Sequence, residues 1–550
     1  MRREHKPFAV AVIETLLAKG VQEFVICAGA RNSALIVVLA ALGDKVRLWQ
    51  HFDERAASFF AIGRIRATER PVAVVTTSGT AAAELLPAVI EAHYQGMPLV
   101  ALTADRPKHY RGSGAPQAIE QEGLFGVYAI FCDADEARGL VEPGWDAQRP
   151  LHVNVCLDEP RGFNELRTAV LPEANGPFRG LNSPNIHAEP LRGSTSAASA
   201  ASASSVISGL SGESAAPGTQ IPSPGDLILA GDLLPSDVPP ALSLIARGSA
   251  PVYAEGASRL RDAPALQSRL LRCGDATLRH VDARHILRLG GVPASRYWRD
   301  LESRPDIAVT HWTRSGYAGL ARKASVPQDN ASCTLDARAI LTRDAALYAR
   351  LGQLLIAFPN SEPALFRRLS LVIPRGAAVF TGNSMPVREW NLCAEYDRGH
   401  RVHVLRGANG IDGNVSAFLG IAANEPEAWC ITGDLTTLYD LNAPWILSQL
   451  SAGKRRFVVM QNAGGKIFSR LPTLKFLTER ERALMENPHT ISLKGWAEMW
   501  SMGHVSGNGD ALDNLMDFPD HTVIELHPDS RQTEAFWQAW AAAESEVWGS

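Results

Sequence analysis

The stretch that decides the fold runs from residue 72 to residue 107 and reads "VAVVTTSGTAAAELLPAVIEAHYQGMPLVALTADRP". Two continuously apolar segments, 72–77 and 99–104, enclose a helix-like segment that opens at the Ser78-Gly79-Thr80 turn. Such strands are typical of parallel sheets whose two faces are both covered by helices. Gly96 and Pro98 mark the end of the helix-like segment. The stretch therefore predicts a parallel α/β architecture.

Similar alternations of apolar strands and polar turns extend over most of the chain. They predict a first domain at 1–181, a middle domain at 225–343 with "DLILAGDLL" and "HILRLGG", and a third at 344–550 with "AAVFTGNS", "AWCITGD" and "RRFVVMQN". The segment 182–224 is rich in Ser, Ala, Gly and Pro and predicts a flexible linker, because it buries too little apolar surface to offset its ordering entropy. We predict three doubly wound parallel-sheet domains.

Composition narrows the class of protein. The chain has 550 residues, 46% of them hydrophobic and 20% charged, with a net charge of −4, which argues against a nucleic-acid partner. It contains no apolar run of transmembrane length, and "MRREHKPFAVAVIETLLAKG" predicts an amphipathic helix rather than a signal peptide. Its seven cysteines form no C-x-x-C pair, which is typical of reduced thiols and offers no zinc site. We expect a cytoplasmic enzyme with no membrane partner.

Polar residues that follow two strands of the third domain suggest a magnesium site. Gly433 and Asp434 end the strand in "CITGDLTT", and Asn462 follows the next strand, 28 residues later. Ligands of doubly wound sheets bind beyond the carboxyl ends of the strands. A carboxylate, an amide oxygen and a main-chain carbonyl form an all-oxygen set that diphosphate oxygens and a water complete around Mg²⁺. Taken alone, Gly-Asp is also an ordinary turn.

A second polar cluster lies in "LWQHFDERAASFFAIGRIRA", residues 48–67. His51, Asp53, Glu54 and Arg55 directly precede an apolar helix-like pattern. Burial of two carboxylates is costly unless partners compensate for it, whereas acids in a solvated first turn favour the helix dipole. The residues alone leave Glu54 open as either a surface acid or a functional group.

Seven phrases, in order along the two outer domains, carry a family resemblance. They are "HFDERAASFFAIG", "TSGTAAAELLPAVIEA", "LTADRP", "GNSMPVR", "RGANGIDG", "GDLTTLYDLNA" and "GGKIFSRLP". Together they resemble the 2-succinyl-5-enolpyruvyl-6-hydroxy-3-cyclohexene-1-carboxylate synthase family, thiamine-diphosphate transferases of menaquinone biosynthesis. The resemblance is weak in the middle domain and absent in the linker. It implies a thiamine-diphosphate-binding fold with pyrimidine, middle and diphosphate domains.

The resemblance also implies how the cofactor is held. Glu54 would hydrogen-bond the aminopyrimidine ring of thiamine diphosphate and share the catalytic work with Gln117. The diphosphate would be held at Gly433 through Mg²⁺ (or Mn²⁺) bound by Asp434, Asn462 and Gly464. Ile411 would support the bent cofactor, although a core isoleucine explains that position equally well.

The implied reaction decarboxylates 2-oxoglutarate and adds the resulting four-carbon carbanion to isochorismate. Both substrates are dicarboxylates, and arginine binds carboxylate bidentately while staying charged. Outside a motif, a lone arginine is usually solvated and an apolar residue usually belongs to the core. The implied substrate-binding residues are Arg31, Arg106, Gln117, Arg296, Ser384, Arg388, Arg406, Ile467, Phe468 and Leu471.

Three positions depart from the family pattern, namely Ala30, Pro116 and Ala463. They keep two alternatives open: another thiamine-diphosphate decarboxylase or carboligase resembling acetohydroxyacid synthase, and a degenerate, non-catalytic relative. A nicotinamide-binding Rossmann protein is set aside, because no G-x-G-x-x-G follows the first strand. Since the implied site lies between two chains, we expect a homodimer or homotetramer.

Overall fold

The fold is taken from a computed structural model, which describes residues 7–136, 139, 144–159, 162–170, 225–322, 335–471, 474, 476–513 and 518–549. These residues form three sheets in which all named strands run parallel. The predicted α/β class with three parallel sheets is confirmed. The linker predicted at 182–224 lies outside the described residues.

The first sheet has six strands in the order β2-β1-β3-β4-β6-β5. Its strands are β1 (Glu23–Ile26), β2 (Arg47–Gln50), β3 (Val72–Thr76), β4 (Leu99–Asp105), β5 (Ile130–Ala134) and β6 (Leu151–Cys156). The helices of this part of the chain are α1 (Phe8–Ala18), α2 (Ser33–Ala41), α3 (Glu54–Thr68), α4 (Thr80–Ala83), α5 (Leu86–Gln95) and α6 (Phe163–Val170). Every residue of β3, β4 and β6 is buried, as expected for strands covered on both faces.

The second sheet has five strands in the order β11-β10-β7-β8-β9. Its strands are β7 (Leu227–Ala230), β8 (Val252–Ala254), β9 (Leu270–Leu271), β10 (His285–Leu289) and β11 (Ala308–Trp312). The helices here are α7 (Val238–Ile245), α8 (Asp275–Leu278) and α9 (Arg296–Asp300). The domain boundary expected at 343/344 falls inside the next helix, α10 (Ala337–Ala357), so the domain limits stay a prediction.

The third sheet has the order β13-β12-β14-β15-β17-β16, which repeats the strand order of the first sheet. Its strands are β12 (Ala378–Thr381), β13 (Arg401–His403), β14 (Glu427–Gly433), β15 (Lys454–Met460), β16 (Gly503–Gly507) and β17 (His521–Leu526). The helices are α11 (Glu362–Val372), α12 (Met385–Cys393), α13 (Asn414–Ala422), α14 (Asp434–Leu438), α15 (Glu479–Glu486), α16 (Lys494–Met499) and α17 (Ser530–Trp548). The two outer sheets therefore present equivalent turns at equivalent edges.

The deciding stretch forms the predicted strand–turn–helix–strand unit with one break. The helix-like segment is divided into α4 and α5. Pro87 lies in the first turn of α5, where a backbone N–H would have no acceptor within the helix, so proline is tolerated. Gly96 ends α5 in the left-handed region, with φ 67°. The predicted N-terminal helix is present as α1, and its apolar face is buried.

Helices α3 and α13 join the first and third sheet regions at very short range. A Cβ on Gly63 would lie 2.0 Å from the carbonyl oxygen of Ala417, and a Cβ on Gly420 would lie 2.2 Å from that of Phe60. Only glycine allows two helix backbones to approach this closely. Phe59, Phe60 and Phe418 complete the contact in one buried cluster.

Two further observations concern the class of protein. None of the helices in the described part of the chain combines the length and the apolar composition that crossing a bilayer requires. Six cysteines lie among the described residues, and all six are buried and free of disulfides. This agrees with the expectation of reduced thiols.

Candidate active site

The strand order identifies one crevice in each outer sheet. In the first sheet β1 and β3 are neighbours, and the turns that follow them carry Arg31 and Gly79. In the third sheet β12 and β14 are neighbours, and their turns carry Ser384 and Asp434. The strand order reverses at these neighbours, and ligands of doubly wound sheets bind at such switch points. Predicted site residues therefore lie at both crevices.

Glu54 is the acid of its cluster that has no side-chain partner. The Asp53 carboxylate caps α3 by accepting from Ala56 N at 2.7 Å, and it also accepts from the Asn442 amide. Arg55 donates to Tyr439 O at 2.9 Å. The half-buried Glu54 begins α3, and among the described residues no hydrogen bond to another side chain involves its carboxyl group. Burial, reinforced by the nearby charges of Asp53 and Glu84, raises the pKa of Glu54.

The remaining residues of the first crevice lie around two glycines. A Cβ on Gly29 would overlap Thr77, whose buried hydroxyl has no partner among the described residues. A Cβ built on Gly79, whose φ is 87°, would lie 3.2 Å from the Cα of the exposed Gln117. Gln117 therefore packs closely over the turn after β3 and leaves little room for a side chain at position 79.

The two arginines predicted for this edge are held by different groups. Arg31 donates to Leu157 O at 3.3 Å and forms a 3.0 Å ion pair with the exposed Glu159. Arg106 donates to Pro116 O at 3.1 Å. Pro116 thus takes part through its carbonyl oxygen, although proline offers no donor.

The crevice predicted to hold the diphosphate is formed by the turns after β14 and β15. Asp434 is 2% exposed, and its Oδ2 accepts from Gly464 N at 2.9 Å. Gly433 has no atom within 4 Å of a built Cβ, which leaves space for a phosphate to approach the backbone. Asn462 lies on the same turn, but its amide donates to Glu362 at 3.3 Å. The carboxylate, amide and main-chain oxygens of this crevice fit the ligand preference of Mg²⁺.

A buried carboxyl pair lies beside Asn462. Glu362 begins α11 and is 3% exposed, and Glu389 of α12 has no exposed surface and no hydrogen-bond partner among the described residues. Burial raises the pKa of Glu362, and burial together with Glu362 raises the pKa of Glu389 well above its usual range. Each carboxyl group disfavours ionisation of the other, which adds to the effect of burial on both.

Ser384, Arg388 and Arg406 meet at the other turns of the third sheet. Arg388 donates to the carbonyl oxygen of Ser384, so the two residues lie together at the start of α12. Arg406 is 8% exposed, and its Nε has no partner among the described residues. Its Nη1 donates to Asn383 Oδ1 at 3.3 Å, and its Nη2 donates to Pro293 O at 3.2 Å. A buried cation with spare donors is suited to a substrate carboxylate.

The other predicted residues have weaker connections to this centre. Ile411 is half-buried in a turn whose Gly410 carbonyl is held by the Asn383 amide at 2.8 Å. Ile467, Phe468 and Leu471 are all partly exposed beside Gly464. Arg296 begins α9 with a 46% exposed side chain and pairs with Asp300 at 3.5 Å. The structure brings α9 near the centre through Arg299, which lies within electrostatic range of Arg388.

Sequence reasoning missed three buried polar residues that hold these turns, and a fourth, half-buried residue beside Asp434. Gln121 accepts from Gly79 N at 2.9 Å, Asn383 links Arg406 to Gly410, Glu255 accepts from Ala294 N at 2.6 Å, and His489 Nε2 lies 3.3 Å from Asp434 Oδ2. Asn383 lies within the quoted "GNSMPVR", so its position was visible. The partners of the other three are distant in sequence and follow no local pattern.

Comparison with known proteins gives the same family throughout. A 2-succinyl-5-enolpyruvyl-6-hydroxy-3-cyclohexene-1-carboxylate synthase of Akkermansia muciniphila is 42% identical, and the match covers 95% of this chain and 97% of the relative. The synthase of the same name from Bdellovibrio bacteriovorus is 37% identical over 97% of this chain and 98% of the relative. That of Halorhodospira halophila is 33% identical over 94% and 95%.

A family model agrees with these relatives in the first domain. The model described as "Thiamine pyrophosphate enzyme, N-terminal TPP binding domain" matches residues 7–124, which include Glu54 and Gln117. The full-length relatives also span the predicted diphosphate crevice. This chain belongs to the 2-succinyl-5-enolpyruvyl-6-hydroxy-3-cyclohexene-1-carboxylate synthase family of thiamine-diphosphate enzymes.

Proposed function

We propose that this protein decarboxylates 2-oxoglutarate and adds the four-carbon product of that step to isochorismate, as a transferase of menaquinone biosynthesis. The observation that carries the proposal is near-full-length identity of 42% and 37% to two synthases of that name. The free carboxyl group of Glu54 and the Asp434–Gly464 crevice supply the groups that this chemistry needs.

The residues that would hold the cofactor lie at the two crevices. Glu54 would bind the aminopyrimidine ring, while Asp434, Asn462 and the Gly464 carbonyl would hold Mg²⁺ or Mn²⁺ against the diphosphate, with Gly433 beside it. When bound, thiamine diphosphate supplies the electron sink that decarboxylation of a 2-oxo acid requires. Glu54 would hold a proton on its carboxyl group at the ring, which its raised pKa favours.

The substrates would be held mainly by arginines. Arg388 and Arg406 approach from one crevice, Arg31 and Arg106 from the other, and Arg296 from the middle domain. Ser384 and Gln117 would add neutral hydrogen bonds, while Ile467, Phe468 and Leu471 would exclude water from the cyclohexadiene ring and Ile411 would support the cofactor. Several fixed cations favour dicarboxylates over pyruvate-sized substrates, which disfavours an acetohydroxyacid-synthase-like activity.

We further propose a homodimer or homotetramer whose sites combine Glu54 of one chain with Asp434 of another. Large apolar side chains beside Glu54 are exposed in the single chain: Phe52 is 56% exposed, Tyr439 55% and Trp445 46%. Such a patch is typical of a surface that a second copy covers. The free thiols support a cytoplasmic location.

The direct test is steady-state turnover of 2-oxoglutarate with and without isochorismate, in the presence of thiamine diphosphate and Mg²⁺. The proposal predicts carbon-dioxide release coupled to consumption of isochorismate. Release that ignores the acceptor would favour a plain decarboxylase. A chain that retains no thiamine diphosphate in native mass spectrometry with Mg²⁺ would instead be a non-catalytic relative.

A further inference from the structure

A single peptide group of the middle domain links a buried acid to Arg406. The acid is Glu255, which directly follows β8 and is 2% exposed. Its Oε1 accepts from Ala294 N at 2.6 Å, and the carbonyl oxygen of the same peptide group, on Pro293, accepts from Arg406 Nη2 at 3.2 Å. The acid, the peptide and the guanidinium therefore form one hydrogen-bonded chain from the middle domain to the third domain.

We propose that Glu255 is a positioning residue that fixes Arg406 through the Pro293–Ala294 peptide and sets the positive charge available for a carboxylate of 2-oxoglutarate. This rests on the proposed function, in which Arg406 binds that substrate. An anion at the N–H end of a peptide and a cation at its C=O end strengthen both hydrogen bonds. The orientation of Arg406 therefore depends on a residue far from it in sequence.

Charged and titratable groups from four neighbouring elements lie around Glu255. They are Arg406 in the turn after β13, Arg388 on α12, Asp275 at the start of α8 and Tyr253 on β8. Burial dominates and raises the pKa of Glu255 to about 7, although Arg406 and the Ala294 N–H both lower it. Glu255 thus passes from neutral to anionic within the physiological pH range.

The sign of the effect follows from charge. Below pH 7 neutral Glu255 leaves the full positive charge of Arg406 and Arg388 for the substrate, whereas above pH 7 its anion offsets part of that charge. The KM for 2-oxoglutarate should therefore rise by about fivefold between pH 6 and pH 8, as for a unit charge acting over ~8 Å in a partly solvated cleft. The kcat should change little, because the carboxylate that Arg406 would bind is the one remote from the 2-oxo group, which keeps its charge while the other carboxylate is lost as carbon dioxide.

The test compares the pH dependence of KM and kcat for 2-oxoglutarate in the wild-type holoenzyme and in Glu255→Gln. The amide keeps the acceptor for Ala294 N and abolishes the ionisation, so the variant should hold its low-pH KM up to pH 8. The same KM rise in the variant would overturn the proposal. Asp344→Asn is the matched control, since Asp344 is buried, has a raised pKa and accepts from Arg272 N and Cys273 N. It should leave the wild-type profile intact.

Two further measurements separate the possible failures. Glu255→Asp withdraws the carboxylate from Ala294 N by one methylene, so KM should rise at every pH while its pH dependence remains; an unchanged KM would contradict the positioning role. Between about pH 4.5 and pH 7 only the folded wild type retains the Glu255 proton, so its stability falls as pH rises. Glutamine has no such proton, so the melting temperature of Glu255→Gln should gain on that of wild type over this range. This measurement does not require turnover. If the difference in melting temperature widens but the wild type does not turn over 2-oxoglutarate, only the proposed function is rejected. If the difference stays constant, the ionisation of Glu255 is rejected.

Discussion

At the scale of single residues, Glu54 differs from Asp53, the acid directly before it. The Asp53 carboxylate accepts hydrogen bonds from the start of α3 and from Asn442. Burial lowers the pKa of His51 to about 4, so its ring is neutral. Among the described residues no hydrogen bond to another side chain involves the Glu54 carboxyl group, which leaves it available to a bound molecule. A partly buried, unpaired acid with a raised pKa is costly to the fold and is typical of a functional group.

Glu54→Gln should leave the fold and the affinity for thiamine diphosphate nearly unchanged, yet lower kcat by roughly 10²–10⁴-fold, the usual worth of acid–base assistance. The side chain keeps its shape but loses the exchangeable carboxyl proton. Single-turnover kinetics with 2-oxoglutarate, alongside calorimetric cofactor binding, would check this. Turnover equal to wild type would remove Glu54 from the catalytic groups.

The same substitution should stabilise the cofactor-free protein at neutral pH. The pKa of Glu54 is higher in the folded state than in the unfolded chain, so the folded state binds the proton more tightly, and stability falls as pH rises from the unfolded to the folded pKa. Glutamine removes this loss. Thermal melts from pH 4 to pH 8 should show Glu54→Gln gaining on wild type as the pH rises; parallel curves would contradict the cause given for the shift.

Asp434→Asn should weaken binding of thiamine diphosphate with Mg²⁺ by more than about 100-fold, since even partners outside the ligand shell contribute roughly 10–100-fold. The amide still accepts from Leu435 N, so the turn should persist. Isothermal titration with cofactor and metal gives the affinity, and circular dichroism checks the fold. Wild-type affinity in a folded variant would exclude the metal role.

At the scale of elements, the contact of α3 with α13 fixes where Glu54 lies. Glu54 is the first residue of α3, and the Gly63–Gly420 crossing holds that helix against the third sheet region. Further along, Arg55 reaches Tyr439 O and Asp53 reaches Asn442, so the start of α3 is joined to the segment that follows α14. The helix therefore ties the first crevice to the third domain.

Gly420→Ala should lower the free energy of unfolding by about 1–3 kcal/mol, the usual cost of overpacking, because its Cβ would lie 2.2 Å from the Phe60 carbonyl oxygen. Gly352→Ala on α10 is the matched control. No atom lies within 4 Å of its built Cβ, so alanine should stabilise by about 0.5–1 kcal/mol. Denaturant unfolding of both variants measures the change in the free energy of unfolding. Equal changes in the two variants would contradict a close contact between α3 and α13 at Gly420.

The same elements show how far sequence reasoning extends. The period of apolar residues predicted the strands from 72 and from 99, and the Gly-Asp and GNS phrases located Asp434 and Ser384, because these signals are local. The break between α4 and α5 was missed, although Pro87 marks it. The contact of Asn462 with Glu362 and that of Glu255 with Ala294 were also missed, since each joins residues far apart in sequence. Local patterns therefore suggest candidate site residues but not the residues that contact them from distant parts of the sequence.

At the scale of the whole molecule, the first and third sheets share one strand order and present one crevice each. The crevice of the first sheet carries Glu54, and the crevice of the third sheet carries the oxygen atoms proposed to hold a metal and diphosphate. The proposed site needs both, and the exposed aromatic side chains beside Glu54 offer a surface for a second copy. The central claim is that the Glu54 of one chain and the Asp434 of another act on one bound cofactor.

Co-expression of Glu54→Gln with Asp434→Asn, each carrying a different affinity tag, tests that claim most directly. A mixed dimer places both intact residues in one of its two sites, so the purified mixed species should recover about half of wild-type activity, and an unsorted mixture about one quarter. Each variant alone should keep less than about a hundredth of wild-type activity at limiting cofactor. A mixed dimer without activity, formed from two folded chains, would contradict a site shared between subunits.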